Sequence, residues 1–237
     1  MNRMIDPRKF SRCANSMRNF FLERNYVEVH TQNLRSILAA CEDPSTIATY
    51  QYSGEVWPLP QTGQMHLENV LLDKPDYEGV FCLSTSYRNE PNPVPGRHDL
   101  IFPMFEFESK GTVKDLQAMQ IDLLDHLGFD KTDGSYPEGD YLDICKKYDA
   151  DELDNGHELQ LEKDYGSVFF LKQFPFYTSP FWNMKSDFTT KQSNKIDVIL
   201  HGIETIGSAE RSCDRDEMRE MFYTISDGQY KDILYKE

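Results

Sequence analysis

Long apolar runs are missing. Nothing in the 237 residues approaches the roughly 18 consecutive apolar residues that span a bilayer, so no membrane partner is expected. The stretch Met1 to Phe21 carries scattered charge and no apolar h-region, so it does not read as a secretory signal. Cysteine is sparse: Cys13, Cys41, Cys82, Cys145 and Cys213 stand far apart, and none forms a C-x-x-C pair. An odd number without that spacing argues against a disulfide framework and against a zinc ribbon, and makes a reducing, cytoplasmic setting the expectation. Basic charge is short as well, with 25 Lys+Arg against 40 Asp+Glu and a net charge of −15. Phosphate backbones are bound through basic footprints, so extensive contact with nucleic acid is disfavoured, whereas a small anion in a locally basic pocket is not.

What is present is enough to fold. Hydrophobic residues make up 39% and aromatics 13%, too much for a disordered chain. The length suits one domain, residues 1–237, with an acidic surface insertion at about 130–164. Residues 122–164 hold fourteen acids and four bases, whereas residues 1–35 hold seven bases and three acids. Residues 7–24 read as an amphipathic helix through Phe10, Ala14, Met17 and Phe21, followed by a strand at Tyr26–Val29. A helix is expected over Thr62–Leu72, and strands at Gly79–Tyr87 and Ile101–Ser109. The intervening Glu90–Arg97 has three prolines, which bar it from a central ladder. The helix Val113–Leu127 has Thr112 and Asp115 to open it and Gly128 to close it. A short helix is expected at Tyr141–Tyr148, strands at Val168–Phe174, Phe181–Lys185 and Lys195–Ile203, and a last helix at Asp214–Tyr223. Hairpins follow one another without strand–helix alternation. That order points to an α+β fold, a mostly antiparallel sheet with helices packed on it.

Four constellations carry chemistry. Arg88 and Glu90, two apart on a strand, share a face. A guanidinium there can fork onto phosphate, and a carboxylate can accept an exocyclic amine. Arg97 and His98, at the far end of the loop, can hold distal phosphates, and Phe102 offers a flat face to a base. Alone, an R-x-E would be an ordinary charged pair; the full set across a Pro/Gly loop is far more specific. The run Asp197-Val-Ile-Leu-His-Gly-Ile-Glu204 embeds two acids, seven residues apart, in apolar surroundings where an unpaired charge is expensive. They either pair with a base or hold a metal, and oxygen ligands beside a phosphate site suggest magnesium. Strict alternation would part them, so their convergence needs a bulge, for which Gly202 is the natural place. Gly207-Ser-Ala-Glu-Arg211 suits an arginine aimed at a carboxylate or amide. Gln61-Thr-Gly-Gln64 opens a helix with polar residues, which alone would be simple capping.

Together these motifs resemble the catalytic core of a class II aminoacyl-tRNA synthetase, in its asparaginyl/aspartyl branch. Tyr87-Arg88-Asn89-Glu90 and Arg97-His98-Asp99-Leu100-Ile101-Phe102 are similar to that family's second signature, F-R-x-E followed by R-H-x-x-E-F. The resemblance implies an ATP site. In it Arg88 grips the α-phosphate, Glu90 reads the adenine amine, Arg97 and His98 hold the outer phosphates, and Phe102 stacks on the base. It further implies magnesium on Asp197 and Glu204, and an amino-acid pocket of Thr62, Gly63, Gln64 and Arg211. Pro180-Phe181-Trp182-Asn183-Met184-Lys185 resembles the branch's P-F-Y-M-K strand. An antiparallel sheet flanked by helices and a homodimer formed through the first helix and strand are implied too.

The departures are specific. Gln32 stands where the dimer signature has proline, and Ile101 replaces the glutamate before the stacking phenylalanine. No anticodon-binding domain is expected, since the first helix begins almost at Met1. The third signature, a Gly-rich strand leading into a helix with an ATP-binding arginine, is not found before Tyr235-Lys-Glu237. The expectation is either a shortened form of a longer product or ATP handling without that arginine. Aspartate-specific relatives place lysine three residues after the pocket glutamine, where this chain has Leu67. A charge-assisted bond of ~1.5–3 kcal/mol to a substrate carboxylate is thereby missing, which favours asparagine over aspartate. Three functions are ranked. The first is an ATP-dependent ligase forming an aminoacyl-adenylate. Next comes an asparagine-synthetase-like ligase using ammonia, and last a catalytically silent paralogue serving as a binding subunit. A tRNA partner is disfavoured by charge and by the missing anticodon module.

Overall fold

The computed structural model describes residues 5–31, 46–224 and 228; Gln32 and Tyr235–Glu237 lie outside the described residues. The chain forms two compact units, one running to Lys110 and the other from Gly111.

In the first unit, α1 (Pro7–Leu22) is opened by Asp6, whose carboxylate accepts from the backbone N–H groups of Arg8 and Lys9 at 2.9 and 3.0 Å. Its apolar stripe buries Ala14, Phe20 and Phe21. A three-stranded sheet runs in the order β1 (Val27–Glu28), β4 (Gly79–Tyr87), β5 (Ile101–Ser109). β1 is parallel to β4, and β4 and β5 are antiparallel in the register Gly79↔Ser109 to Tyr87↔Ile101. Side chains alternate across β4. Phe81 joins Phe21 and Phe105 in an aromatic layer with ring centroids 5.4–5.6 Å apart. Val80 and Cys82 face the other way and pack with Leu67 of α2 (Gln64–Asp73). A separate hairpin, β2 (Thr49–Tyr52) and β3 (Glu55–Pro58), was not expected from the sequence. Its turn places Ser53 and Gly54 at φ 54° and 85°, the twist that suits a two-residue hairpin loop.

The second unit is a five-stranded, mostly antiparallel sheet. It runs β10 (Ile203–Ala209), β9 (Gln192–Leu200), β7 (Val168–Pro175), β6 (Glu138–Asp140), with β8 (Ser186–Asp187) on β9. Both faces of β7 are buried, which explains its unbroken apolar run. Val168 and Phe170 join Leu124 of α3 (Val113–Leu127), with Ile196 and Val198, on one face. Phe169 and Leu171 join Tyr141, Ile144 and Cys145 of α4 (Tyr141–Tyr148) and Leu161 of α5 (Asn155–Tyr165) on the other. A bulge at Gln173, with φ 58°, returns Phe174 to that second face. α3 is capped as expected: the Thr112 N–H and hydroxyl each reach Asp115 Oδ2 at 2.8 Å, and Gly128 takes φ 84°. α6 (Arg215–Thr224) closes the described chain.

Three expectations are corrected. The acidic 130–164 segment is not merely surface: its two helices supply Tyr141, Ile144, Cys145 and Leu161 to a core. Phe181–Lys185 is a turn with a single bridge from Met184 to Arg211, and no strand. The run Lys195–Ile203 is two strands, broken at His201–Gly202, whose φ values of 51° and 71° make a tight turn. No helix among the described residues is long and apolar enough to cross a membrane.

Candidate active site

β4 ends at Tyr87, so Arg88 and Glu90 stand in the loop beyond it and not on the strand. The Arg88 N–H still donates to Leu100 O at 2.7 Å, and the prolines after Glu90 then carry the chain away from the ladder. Arg88, Glu90 and His98 line a cavity of about 290 Å³ together with Thr46, Pro91 and Asn92. Arg88 Nε donates to Ser86 Oγ at 3.2 Å, and that hydroxyl donates in turn to Gln61 O at 2.7 Å. The guanidinium is thus anchored from behind by a buried serine. Glu90 Oε2 stands 2.9 Å from His98 Nδ1, a close contact without the alignment of a hydrogen bond. Arg97 and Phe102, both half-buried, lie outside this lining.

The Thr62–Gln64 segment sits over the opposite end of the same hairpin. Glu106, only 9% exposed, lies across from Cys82 in the ladder and accepts from four neutral groups. The Thr62 hydroxyl donates to it in a short contact, the Gly63 N–H reaches its oxygens at 2.9 and 3.1 Å, and the Ser84 hydroxyl at 2.6 Å. The fourth is the Cys82 thiol, at 3.7 Å. Gly63 is the N-cap of α2, so the carboxylate also meets the positive end of that helix. A Cβ there would stand 2.7 Å from Thr31 Cγ2 and 3.1 Å from Glu106 Oε2, so a larger residue would have to push the Thr31 methyl aside. The Gln64 side-chain amide donates to Glu108. Burial, and then the negative charge of Glu106, push the Cys82 thiol well above its ordinary pKa. Leu67 is fully buried against Val80 and Cys82. Sequence reasoning gave Glu106 no role. The available signal was an acid between two phenylalanines on a strand.

In the second unit, Asp197 and Glu204 lie on adjacent strands of the β9–β10 hairpin. The bulge that brings them together is between Glu204 and Ile206, not at Gly202. Asp197 faces Gly207 across the ladder, and a Cβ on Gly207 would stand 3.0 Å from Glu204 Oε1 and 3.6 Å from Asp197 Oδ1. The two carboxylates therefore converge over a residue with no side chain. Lys195, unforeseen, joins them: its Nζ is 3.0 Å from Asp197 Oδ2, with both side chains under 10% exposed. That bears on the magnesium expected at Asp197 and Glu204. Two acids and no base would suit magnesium, but an ammonium already stands against Asp197, so the donor set does not fit a divalent ion held by both. Arg211, half-buried, bridges Met184. Ser212 N–H donates to Asn183 O at 2.8 Å and Lys185 N–H to Glu210 O at 2.7 Å, tying the Phe181–Lys185 turn to the arginine's segment.

A larger cleft of about 530 Å³ beside β1 and α2, with His30, His66 and Lys74 on its wall, contains none of these residues.

A family profile described as tRNA synthetases class II (D, K and N) matches residues 4–233. Asparaginyl-tRNA synthetase from Pyrococcus horikoshii, solved with asparaginyl-adenylate, superposes with TM-score 0.78 at 21% identity, over 94% of this chain and 58% of that one. The Entamoeba histolytica asparaginyl-tRNA synthetase gives TM-score 0.78 at 19% identity, over 95% and 56%. The aspartyl-tRNA synthetase of that organism gives 0.67 at 17%, over 95% and 49%. The chain thus spans about half the length of these relatives. No curated protein matches it.

Proposed function

The chain belongs to the class II tRNA synthetase family (D, K and N), and on that premise we propose that it activates an amino acid with ATP. The amino-acid carboxylate attacks the α-phosphate of ATP, the new P–O bond gives an aminoacyl-adenylate, and pyrophosphate leaves. No protein nucleophile is required; position and charge do the work. The observation that carries the reading is the cavity in which Arg88, Glu90 and His98 meet at the mouth of the Pro-rich loop. Arg88 supplies a fixed positive charge where charge builds on phosphorus, held by Ser86. Glu90 supplies an acceptor for the adenine amine. Magnesium arrives as part of the substrate, on the phosphates of ATP.

Asparagine is the amino acid this reading favours. Glu106 is a carboxylate directly beneath Thr62 and Gly63, satisfied by neutral donors that leave its charge in place. A substrate carboxylate beside it would be repelled, whereas an amide can donate to it. The buried Leu67 offers no compensating cation.

Amino-acid-dependent ATP–pyrophosphate exchange tests the proposal, with magnesium and a panel that includes asparagine and aspartate. Exchange with asparagine is expected to exceed that with aspartate, and Arg88→Ala is expected to lower it by roughly a hundredfold or more. Equal use of both amino acids would overturn the asparagine preference. Absence of exchange from well-folded protein would overturn activation itself and favour the silent-paralogue reading.

A further inference from the structure

We propose that Lys195 is a tethered cation that takes, at Asp197, the place a protein-bound divalent ion would need. Lysine is rarely as buried as the 7% exposure seen here, and its charge is tolerated only where it is paired. Three features build the position. Lys195 and Asp197 are two apart on β9, so their side chains share a face, and Nζ lies 3.0 Å from Oδ2. The ammonium lies 4.3 Å from the Phe174 ring centroid, on the negative face of an aromatic that the bulge at Gln173 turns that way. Gly207, opposite Asp197, lets Glu204 approach the same point, which gives the cluster two negative charges and one positive.

A divalent ion on Asp197 would lie within a few ångströms of a full positive charge, where little water screens their repulsion. The lysine sets a positive charge against the buried aspartate, so an incoming divalent ion would meet that charge at Asp197 whatever Glu204 contributes. The hairpin therefore has no strong site for a free divalent cation, and any metal at this place arrives on its anionic ligand. The inference is independent of amino-acid activation, because it concerns the ion alone.

Mn²⁺ is the probe, titrated into the full chain in the absence of nucleotide with free ion read by electron paramagnetic resonance. Wild type and Glu204→Gln are expected to bind Mn²⁺ alike. Lys195→Met is expected to gain a site at least about tenfold tighter than any in wild type, and Lys195→Met/Glu204→Gln to lose it again. Wild-type binding that weakens several-fold in Glu204→Gln would overturn the proposal, and so would folded Lys195→Met with no new site. The wild-type and Glu204→Gln arm decides by itself if Lys195→Met does not fold, because Glu204 is exposed. Neither arm uses ATP, so failed pyrophosphate exchange leaves this test intact.

Discussion

Among the described residues each unit buries one carboxylate, and the two are stabilised in different ways. Glu106 is surrounded by neutral donors, two hydroxyls, a thiol and the N–H that caps α2. Asp197 has the Lys195 ammonium. Neutral donors fill lone pairs but leave a full negative charge, whereas an ammonium cancels it. Glu106 adds its negative charge to burial, the larger cause, in pushing the Cys82 thiol above its ordinary pKa. The first unit therefore offers negative potential beside Thr62 and Gly63, and the second offers a pair with almost no net charge. A carboxylate kept charged can select a donor, and one neutralised from within serves chiefly to hold its neighbour in place.

The largest expected effect tests the second arrangement. Lys195→Met removes the ammonium that stands against buried Asp197, which should cost about 3–5 kcal/mol in urea unfolding. Lys195→Met/Asp197→Leu removes both charges and should recover most of that loss. If the single variant were as stable as wild type, the ion pair would not be what holds Asp197, and the contrast would collapse.

A smaller effect tests the first. Glu106→Gln keeps the shape but turns one acceptor into a donor facing the Gly63 N–H or the Ser84 hydroxyl, at about 1–3 kcal/mol. The variant also removes the charge felt by Cys82, so alkylation rates against pH should show the thiol titrating lower than in wild type. Burial is the larger cause and persists, so the thiol should still lie above its ordinary value. An unchanged profile would mean that Glu106 projects no charge onto Cys82.

How much of this was legible in the sequence depended on whether the signal was local. The α3 caps were readable because Thr112, Asp115 and Gly128 act through backbone geometry within a turn or two. The β4–β5 hairpin was readable through the apolar runs on either side of the Pro-rich loop, and the class II family through motifs kept in order. The β2–β3 hairpin escaped because its strands are only four residues long and largely exposed. The acidic 130–164 segment hid its core residues among charges: Tyr141, Ile144 and Leu161 are spaced for helices, but their burial depends on β7 and β9. The convergence of Asp197 and Glu204 was anticipated, yet the bulge was assigned to the glycine when the glycine was needed for the turn. Lys195 could have been questioned from sequence, as a charge two residues before an acid in an apolar strand. Phe174, which completes its setting, comes from another strand and gave no such warning.

The mildest test uses a third carboxylate, an exposed one, as the reference for the other two. Asp115 accepts from the Thr112 backbone N–H and from its hydroxyl, and these bonds, the backbone one foremost, hold its carboxyl below the ordinary range. A folded-state pKa depressed in this way contributes stability that is complete above the unfolded carboxylate value, about 3.9. That contribution is lost as pH falls through the lower, folded value. Asp115→Asn should therefore lower the urea midpoint slightly at pH 7, and the gap to wild type should close as the solution is acidified below about pH 4. A gap that stays constant on acidification would locate the effect in geometry instead of charge. It would also imply that capping by a carboxylate here owes nothing to its negative charge, in contrast to Glu106, whose charge is what the proposed pocket uses.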